Sequence, residues 1–300
     1  MAQPIININN FSKSFGNHEV VTNLSFDVQP GETFAFLGAN GSGKTTTIRC
    51  LLGLLETDSG QLLINGRPYD TTMAATLGYL PEERGLYTDS QVIETMTYFG
   101  TLKGLAAPEA KKWSVDYLER VGLADKQKSK VKELSSGQQQ KIQLGLTMIN
   151  KPKLLVLDEP TKGLDPVNRK LLLDLLQEMK TQDSTIVFIT HQMEEVEKLA
   201  DRLIMIKDGK AVLYGGLQEV KERFGENRIH VNFTGRFPKN PKLYQVVSAE
   251  NNVAELVPNN NIETGAIFKY LAATDLQITK FERAMPSLQE LFVSIQQNHD

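Results

Sequence analysis

The sequence predicts an α/β protein with parallel strands, followed by a small α+β domain, in a chain of 300 residues. From about residue 5 to 224, short β-rich apolar runs alternate with helical patterns, which is typical of parallel α/β domains. From about residue 228 onwards the chain is richer in asparagine and polar turns. A glycine-rich loop between a buried strand and a helix is the third observation. We therefore place two domains, at 1–225 and 226–300.

The elements of the first domain follow in order from the hydropathy pattern. The pattern predicts five strands, the first of them at a sheet edge: 5–8, 20–28, 33–37, 154–157 and 185–189. It predicts helices over about 45–55, 91–121, 138–149 and 166–181. In the second of these stretches, apolar residues recur at three- and four-residue spacing, which indicates helix.

Composition excludes several classes of protein. Hydrophobic residues make up 40% and charged residues 23% of the chain, which is typical of a globular protein. The net charge of -3 leaves no basic excess to hold a polyanion, so we expect no nucleic-acid partner. No apolar run approaches the ~18 residues that span a bilayer, and no secretory signal is visible. The single cysteine, Cys50, excludes an internal disulfide, and we expect a soluble, cytoplasmic protein.

The glycine-rich loop has the pattern that binds nucleotide phosphates. Residues 38–45, Gly-Ala-Asn-Gly-Ser-Gly-Lys-Thr, fit G-x-x-x-x-G-K-[ST]. Backbone N–H groups and a helix N-terminus attract phosphate, Lys44 adds a point charge, and the Thr45 hydroxyl holds Mg²⁺. The alternative is a chance glycine turn. The candidate binding residues are Gly38, Asn40, Gly41, Ser42, Gly43, Lys44, Thr45 and Thr46.

Two acidic residues end the apolar strand at 154–157. Asp158 lies at the carboxyl edge of a parallel sheet, where ligands bind, and we expect it to hold Mg²⁺ directly or through water. Glu159 is placed to polarise an attacking water as general base. The alternative is a pair of solvated acids at a strand end. Together with the phosphate loop, the pair predicts a nucleotide-hydrolysing site.

A third motif resembles that of a known family. Residues 134–138, Leu-Ser-Ser-Gly-Gln, resemble the LSGGQ signature of ATP-binding cassette (ABC) proteins. Phe15 matches the family's adenine-stacking aromatic, Asp165 lies in a match to its D-loop, and His191 matches its switch histidine. The resemblance covers residues 4 to 225 and implies a P-loop NTPase cassette of ABC type. Such a cassette has a RecA-like core, an antiparallel β subdomain and a helical signature subdomain.

The resemblance implies an ATPase that uses Mg²⁺ and works in pairs, as a homodimer or with a pseudo-symmetric cassette partner. Ser135, Gly137 and Gln138 would contact the γ-phosphate bound by a second protomer, and Asp165 would lie at the protomer contact. His191 would hold the γ-phosphate and the attacking water. The plainer alternatives are ordinary packing for Phe15 and a strand-end histidine for His191.

Two positions depart from the family pattern. Ser136 stands where the family usually has glycine, which would restrict the backbone if φ there is positive. Glu82 stands where the family's Q-loop presents glutamine. Its carboxylate could still meet Mg²⁺ or the attacking water, so we place Glu82 with Glu159 and His191 as catalytic candidates.

The tail at 286–292 resembles the close of exporter-type cassettes with a small C-terminal accessory domain. It predicts an ATPase subunit that powers export through a separate transmembrane permease, on the inner face of the cell membrane. By the same resemblance, residues 79–87 would line the permease contact. The alternatives are a soluble ABC ATPase acting on translation or chromosomes, and an importer ATPase.

Overall fold

The computed structural model of the chain describes residues 3–83, 85–224, 228–284 and 287–297. The chain divides into two compact units, Met1–Leu217 and Gln218–Asp300. The predicted boundary at residue 225 and the start of the tail motif at Pro286 lie outside the described residues. So does Arg84, within the predicted permease contact. In the ranges that are described, no helix combines the length and the apolar character needed to cross a bilayer.

An antiparallel sheet of three strands opens the first unit. Its strands are β1 (Ile6–Phe15), β2 (His18–Val28) and β4 (Ser59–Ile64), in the order β2-β1-β4. The predicted edge strand at 5–8 is wrong in position, because β1 pairs along both of its sides. Its alternation of isoleucine and asparagine resembles a half-exposed edge, but β4, which the pattern missed, covers the second side.

The second sheet of this unit has six strands in the order β5-β6-β7-β3-β8-β9. They are β3 (Thr33–Gly38), β5 (Leu77–Leu80), β6 (Leu154–Asp158), β7 (Thr185–Thr190), β8 (Arg202–Lys207) and β9 (Lys210–Gly216). All neighbours are parallel except β8 and β9. The strands predicted at 33–37, 154–157 and 185–189 are therefore confirmed, whereas β5, β8 and β9 were missed.

The register of this sheet positions the site. Strand β3 is buried at every position, as expected when both faces of a parallel sheet are covered. Leu37 pairs with Thr190, and Asp158 pairs with Ile189. The carboxyl ends of β3, β6 and β7 therefore lie at one edge of the sheet, and a loop follows each strand there.

The α-helices of the first unit lie in the predicted stretches, apart from the sixth, which the pattern missed. They are α1 (Lys44–Leu51), α2 (Val92–Leu102), α3 (Ala107–Arg120), α4 (Ser136–Met148), α5 (Pro166–Thr181) and α6 (Met193–Leu199). The stretch 91–121 forms two helices, because Gly104 takes a positive φ of 91° and Pro108 starts the second one. Helices α2, α3 and α4 pack on one another as a helical layer. A further helix, α7 (Leu217–Phe224), begins where this unit ends.

The second unit is a small α+β domain, as predicted. Its antiparallel sheet has the order β11-β12-β10-β13 and is formed by β10 (Arg228–Thr234), β11 (Tyr244–Glu250), β12 (Val253–Pro258) and β13 (Gln277–Ala284). Two helices, α8 (Thr264–Ala272) and α9 (Leu288–Gln297), complete the unit. Tyr244, Leu256 and Ile267 are among the residues of its own apolar core.

Candidate active site

The phosphate loop leaves the end of β3 at Gly38 and enters α1 at Lys44. Two of its glycines are required by geometry. A Cβ atom at Gly38 would collide with the backbone oxygen of Ile206, and one at Gly43 would stand 2.7 Å from the Val21 Cγ2 atom. Gly43 also has a φ of 102°, which side chains rarely adopt. The loop therefore keeps its tight path only with glycine at these positions.

Lys44 is a buried cation whose partners here are neutral. Its Nζ atom donates to the backbone oxygens of Gly38 and Ala39, both at 2.9 Å. Burial lowers the pKa of Lys44, and the nearby carboxylates of Glu159 and Asp158 oppose that shift. A desolvated ammonium held by carbonyl groups is well suited to pair with an anion.

Asp158 ends β6 beside the loop. Its Oδ2 atom accepts a hydrogen bond from the Thr45 hydroxyl at 2.8 Å. Its Oδ1 atom is buried and has no hydrogen-bond partner. Burial raises the pKa of Asp158 to about 6, and the charges of Glu82 and Glu159 add to this, while Thr45 and Lys44 oppose it. The site therefore holds a desolvated carboxylate oxygen that is ready to accept a cation or a proton.

Glu159 occupies a strained backbone position and contacts the predicted switch histidine. Its φ is 49°, which is uncommon for a residue with a side chain, and its N–H donates to the Ile189 oxygen at 2.9 Å. The Glu159 Oε1 atom lies 2.8 Å from His191 Nδ1. Its Oε2 atom is buried and unpartnered. The structure thus joins the acidic pair to His191, whose side chain is 52% exposed.

One cavity of about 450 Å³ collects the candidates from four parts of the chain. Its lining residues are Phe15, Val20, Asn40, Gly41, Gly43, Lys44, Thr45, Thr46, Glu82, Asp158 and Glu159. Gly38 and Ser42 belong to the same loop, and His191 joins through Glu159. Val20 also lines the cavity, and the sequence patterns did not indicate it as a site residue. The signal available was its place beside Val21 on a strand, which alone does not indicate a binding site.

Phe15 ends β1 with half of its surface exposed. The Nζ atom of Lys13 lies 5.4 Å from the centre of its ring. An aromatic ring at the rim of a polar cavity offers a flat apolar face on which another ring can stack. Core packing does not account for Phe15, because the ring is not in the buried core of the unit.

Glu82 lines the cavity and pairs with a residue that the sequence did not indicate. Its Oε1 atom lies 2.6 Å from Lys162 Nζ, and both side chains are partly exposed. Lys162 follows the acidic pair closely in sequence, and its N–H donates to the Glu159 oxygen at 3.1 Å. The carboxylate at the Q-loop position is therefore partly neutralised by a lysine of the neighbouring turn.

The signature residues lie elsewhere, at the start of α4. Ser135 is the N-cap, and its Oγ atom accepts from Gln138 N at 3.3 Å while Gln138 Oε1 accepts from Ser135 N at 2.9 Å. Ser136 is the first residue of the helix and is not among the described residues with positive φ. Serine therefore causes no backbone strain at that position.

Asp165 is the N-cap of α5 and accepts from the N–H groups of Val167 and Asn168, both at 3.0 Å. Those hydrogen bonds lower the pKa of Asp165. Neither Asp165 nor the signature residues Ser135, Gly137 and Gln138 line the cavity around Lys44 in the described part of the chain. A single copy therefore gathers the loop, the acidic pair, Phe15, Glu82 and His191, and leaves two capped helix tips outside that cavity.

Two family models match the chain. Residues 21–162 match the family described as ABC transporter. Residues 215–295 match the family described as ATP-binding protein DrrA1-3-like, C-terminal domain. The first match lies within residues 1–225, and the second begins before residue 226, so the division at 225 stays a prediction.

Individual proteins that are similar to this chain are also ATP-binding proteins. The ABC transporter ATP-binding protein YhaQ of Bacillus subtilis (strain 168) is 39% identical over 292 residues, which cover 96% of this chain and 97% of YhaQ. The Nod factor export ATP-binding protein I of Paraburkholderia xenovorans (strain LB400) is 37% identical over 218 residues, 72% of each chain. A solved ATP-binding subunit of an ABC transporter superposes with a TM-score of 0.67 at 27% identity, covering 73% of this chain and 93% of that one.

Proposed function

The chain belongs to the ABC transporter ATP-binding family, and from this premise we propose that it powers export through a separate membrane subunit. As a member of that family it is an ATP-binding subunit that hydrolyses ATP. The observation that carries the proposal is the cavity in which a buried lysine faces two buried carboxylates. Each step below assigns a role to residues of that cavity or of the two capped helix tips.

The loop from Gly38 to Thr46 binds the triphosphate. Its backbone N–H groups and the α1 N-terminus meet the phosphate oxygens, and Lys44 exchanges its two carbonyl partners for the β- and γ-phosphates. Thr46 adds a hydroxyl to a more distal oxygen. Phe15 stacks on adenine at the rim, an interaction that tolerates different bases because every base has a flat face.

Thr45 and Asp158 would hold Mg²⁺. The fit is supported by the donor set, since a hydroxyl and a carboxylate are oxygen ligands of the kind Mg²⁺ prefers. It is also supported by the buried Asp158 Oδ1 atom, which has no partner within the protein. When bound, the metal neutralises the charge of the β- and γ-phosphate oxygens. Burial removes water from the Asp158 carboxylate and so raises its pKa. A cation beside the carboxylate would stabilise its charged form.

Glu159 acts as the general base for hydrolysis. Its carboxylate takes a proton from water while the water oxygen bonds to the γ-phosphorus and the bond to the β–γ bridging oxygen breaks. The unpartnered Oε2 atom is the one free to accept that proton, because Oε1 is engaged by His191. His191 holds the γ-phosphate and the water in line. Glu82 approaches the same water or the metal, with its charge moderated by Lys162.

A second cassette completes each site. The helix tip at Ser135, Gly137 and Gln138 of one copy binds the γ-phosphate held by the other, and Asp165 lies at the contact between the copies. Moving an open-to-closed ratio from 99:1 to 1:99 takes about 5.5 kcal/mol of differential binding. Two shared γ-phosphates, each met by charge-assisted hydrogen bonds of about 1.5–3 kcal/mol, can supply that. Hydrolysis removes the shared anion and reopens the pair.

The membrane subunit docks near the Q-loop, which places the chain on the inner face of the membrane. Tyr87 and Tyr98 are about half exposed and lie with Phe99 in one cluster, with ring centres 5.7–6.1 Å apart. An exposed aromatic cluster of this kind marks an interaction surface. Export is favoured over import because a relative of similar length is named for export. A role in translation or on chromosomes has no specific support.

The nucleotide site is tested by Lys44→Ala in the full chain. We expect ATP binding to fall below detection in calorimetry, because the buried charge that meets the phosphates is removed. Lys170→Ala removes an exposed lysine of α5 and should bind ATP like the unaltered chain. Equal ATP affinity in the two variants would contradict the assignment of this cavity.

The transport role is tested in membranes. We expect the chain to co-purify with an integral membrane protein from detergent-solubilised membranes, and the pair to hydrolyse ATP. Inverted vesicles carrying the pair should take up the substrate with ATP if the system exports, since their lumen corresponds to the cell exterior. A chain recovered wholly on ribosomes, with no membrane partner, would refute the transporter proposal.

A further inference from the structure

Glu195 is a buried carboxylate outside the nucleotide cavity. It lies in the first turn of α6, and its side chain is only 2% exposed. Glutamate is rarely buried to this extent unless it is paired. Its Oε1 atom accepts from Thr161 Oγ1 at 2.5 Å, and its Oε2 atom accepts from Thr190 Oγ1 at 3.2 Å. One carboxylate therefore connects two segments that are distant in sequence.

Both segments carry a residue with a proposed catalytic role. Thr161 lies two residues after Glu159 and Thr190 directly precedes His191. The Thr190 hydroxyl also accepts from Gln192 N at 3.1 Å, which fixes the turn that presents His191. Glu195 thus contacts the segments on both sides of the hydrogen bond between Glu159 and His191.

The turn after Glu159 depends on the same contact. Lys162 N donates to the Glu159 oxygen and Leu164 N donates to the Thr161 oxygen, both at 3.1 Å. These bonds compact the turn, but neither ties it to the end of β7. The hydroxyl of Thr161, which is fully buried, ties the turn to the end of β7 through Glu195, in addition to the bond from Glu159 N to the Ile189 oxygen.

A third contact reaches the D-loop helix. Arg169 Nε lies 3.7 Å from Glu195 Oε1, close enough for charge attraction and too far for a hydrogen bond. Arg169 lies in the first turn of α5, where its N–H donates to the Asp165 oxygen at 2.8 Å. The positive charge of Arg169, on the helix that Asp165 caps, therefore offsets the negative charge of Glu195.

We propose that Glu195 is a positioning residue for ATP hydrolysis, which holds the turn after Glu159 and the turn around His191 in one fixed arrangement. The inference rests on the proposed roles of Glu159 and His191. Holding reacting groups in place is worth orders of magnitude in rate, and a displacement of about 1 Å can cost about 100-fold. Loss of the link changes the turnover rate and leaves nucleotide binding intact, because Glu195 does not line the cavity.

The first test compares Glu195→Gln with Glu194→Gln in the full chain. Glutamine keeps the size of the side chain and replaces a charged acceptor oxygen with an amide donor. We expect kcat to fall about tenfold or more in Glu195→Gln, with KM for ATP within about twofold. Glu194 is the exposed neighbour on the same helix, and its variant should behave like the unaltered chain. A role confined to folding would instead lower the unfolding temperature and ATP affinity together.

The second test removes the two donors one at a time. Thr161→Val and Thr190→Val keep the shape of each side chain and lose its hydroxyl. Each should lower kcat with little change in KM. Thr161→Val combined with Glu195→Gln should lose less than the product of the two single effects, because both changes break the same bond. Strictly multiplicative losses would overturn the proposal. So would a normal kcat in both single threonine variants, which can be measured even if Glu195→Gln does not fold.

Glu159→Gln, measured in the same assay, separates this inference from the proposed function. If Glu159→Gln turns over ATP at the normal rate, the assigned general base is wrong and the function proposed for the site fails. If Glu159→Gln is inactive while Glu195→Gln matches Glu194→Gln in kcat, the site stands and only the positioning role is refuted. If Glu159→Gln is inactive and Glu195→Gln loses kcat but keeps its KM, both the proposed function and the positioning role are supported.

Discussion

At the scale of single residues, the site is a concentration of desolvated charge. Lys44 and Asp158 are both buried. Burial lowers the pKa of Lys44 and raises the pKa of Asp158, so it favours the neutral form of each side chain. The protein leaves the Asp158 Oδ1 atom without a hydrogen bond, which costs stability in the nucleotide-free chain. Active sites commonly hold such groups, because a ligand that supplies the missing partner is bound more strongly.

Asp158→Asn should stabilise the nucleotide-free chain at neutral pH. The pKa of Asp158 is raised by burial from an ordinary value of 3.8 to about 6, so the folded chain holds this proton more tightly than the unfolded chain. Stability therefore falls as pH rises between these values and stays lower above about pH 6. A difference of about two units between the folded and unfolded pKa of Asp158 corresponds to about 3 kcal/mol. This is an upper limit for the increase in the free energy of unfolding.

Urea unfolding without nucleotide or metal measures this effect. The advantage of Asp158→Asn should be largest at about pH 7.5 and should shrink towards zero as pH falls below 3.8, where the carboxyl is neutral in both states. Asp174→Asn alters an exposed residue of α5 and serves as the control. An advantage that grows as pH falls would mean that the sign of the pKa shift is wrong.

At the scale of elements, α4 shows how the helical layer supports the signature tip. A reciprocal pair of hydrogen bonds between Ser135 and Gln138 caps the start of the helix. Further along, the ring of Tyr117 from α3 packs over Gly145 and donates its hydroxyl to the Lys141 oxygen at 2.7 Å. Trp113 stacks on Tyr117 with ring centres 5.0 Å apart. This close helix crossing is therefore one of the contacts that hold α4 and its tip in place.

Gly145→Ala should loosen that crossing. The added Cβ atom would collide with the buried Tyr117 ring, and overpacking of this kind costs about 1–3 kcal/mol. Urea unfolding followed by Trp113 fluorescence reports on the affected helix, since Trp113 is the single tryptophan of the chain. Gly265→Ala in α8 meets no atom within 4 Å and should be neutral or slightly stabilising. Equal stability of the two variants would show that the crossing adjusts without cost.

At the scale of the whole molecule, a single copy leaves two capped helix tips outside the nucleotide cavity. Its cavity gathers the phosphate loop and the acidic pair, while the capped tips at Ser135 and Asp165 lie outside the lining. A helix tip with a small polar cap is suited to bind an anion. Pairing of two copies would give the Ser135 tip of each copy the γ-phosphate of the other, which makes assembly depend on the intact triphosphate.

Glu159→Gln should trap the paired state. The variant keeps the charge and loop that bind ATP but lacks the base, so the shared γ-phosphate persists. Size-exclusion chromatography with ATP and Mg²⁺ should show a peak at twice the mass of the single chain. Adding Lys44→Ala to the same chain removes ATP binding and should restore the single mass. A Glu159→Gln chain that stays single at saturating ATP would refute the shared-phosphate model.

Much of the fold and part of the site could be predicted from local patterns. The phosphate loop, the acidic pair at the end of β6 and the helix at 166–181 are encoded by short runs with fixed spacing, and each lies where expected. The central place of β1 was mispredicted because an alternating strand has the same pattern at an edge as in the middle of a half-exposed sheet. Strands β4 and β5 lack long apolar runs. Strand β8 has the four-residue apolar run 203–206 and is followed by Asp208 and Gly209, so the β8–β9 hairpin could have been predicted.

The sequence by itself determined the chemistry available to this protein: a phosphate loop, two acids and a signature helix, each recognisable within a few consecutive residues. Only the tertiary structure decided which residues meet. The pairing of Glu82 with Lys162 and the link from Thr161 through Glu195 to Thr190 join segments far apart in the chain. The physical reason is the strand order of the parallel sheet, which brings the ends of β3, β6 and β7 to one edge. Hydropathy periodicity records which face of a strand is buried, but not which strand lies beside it.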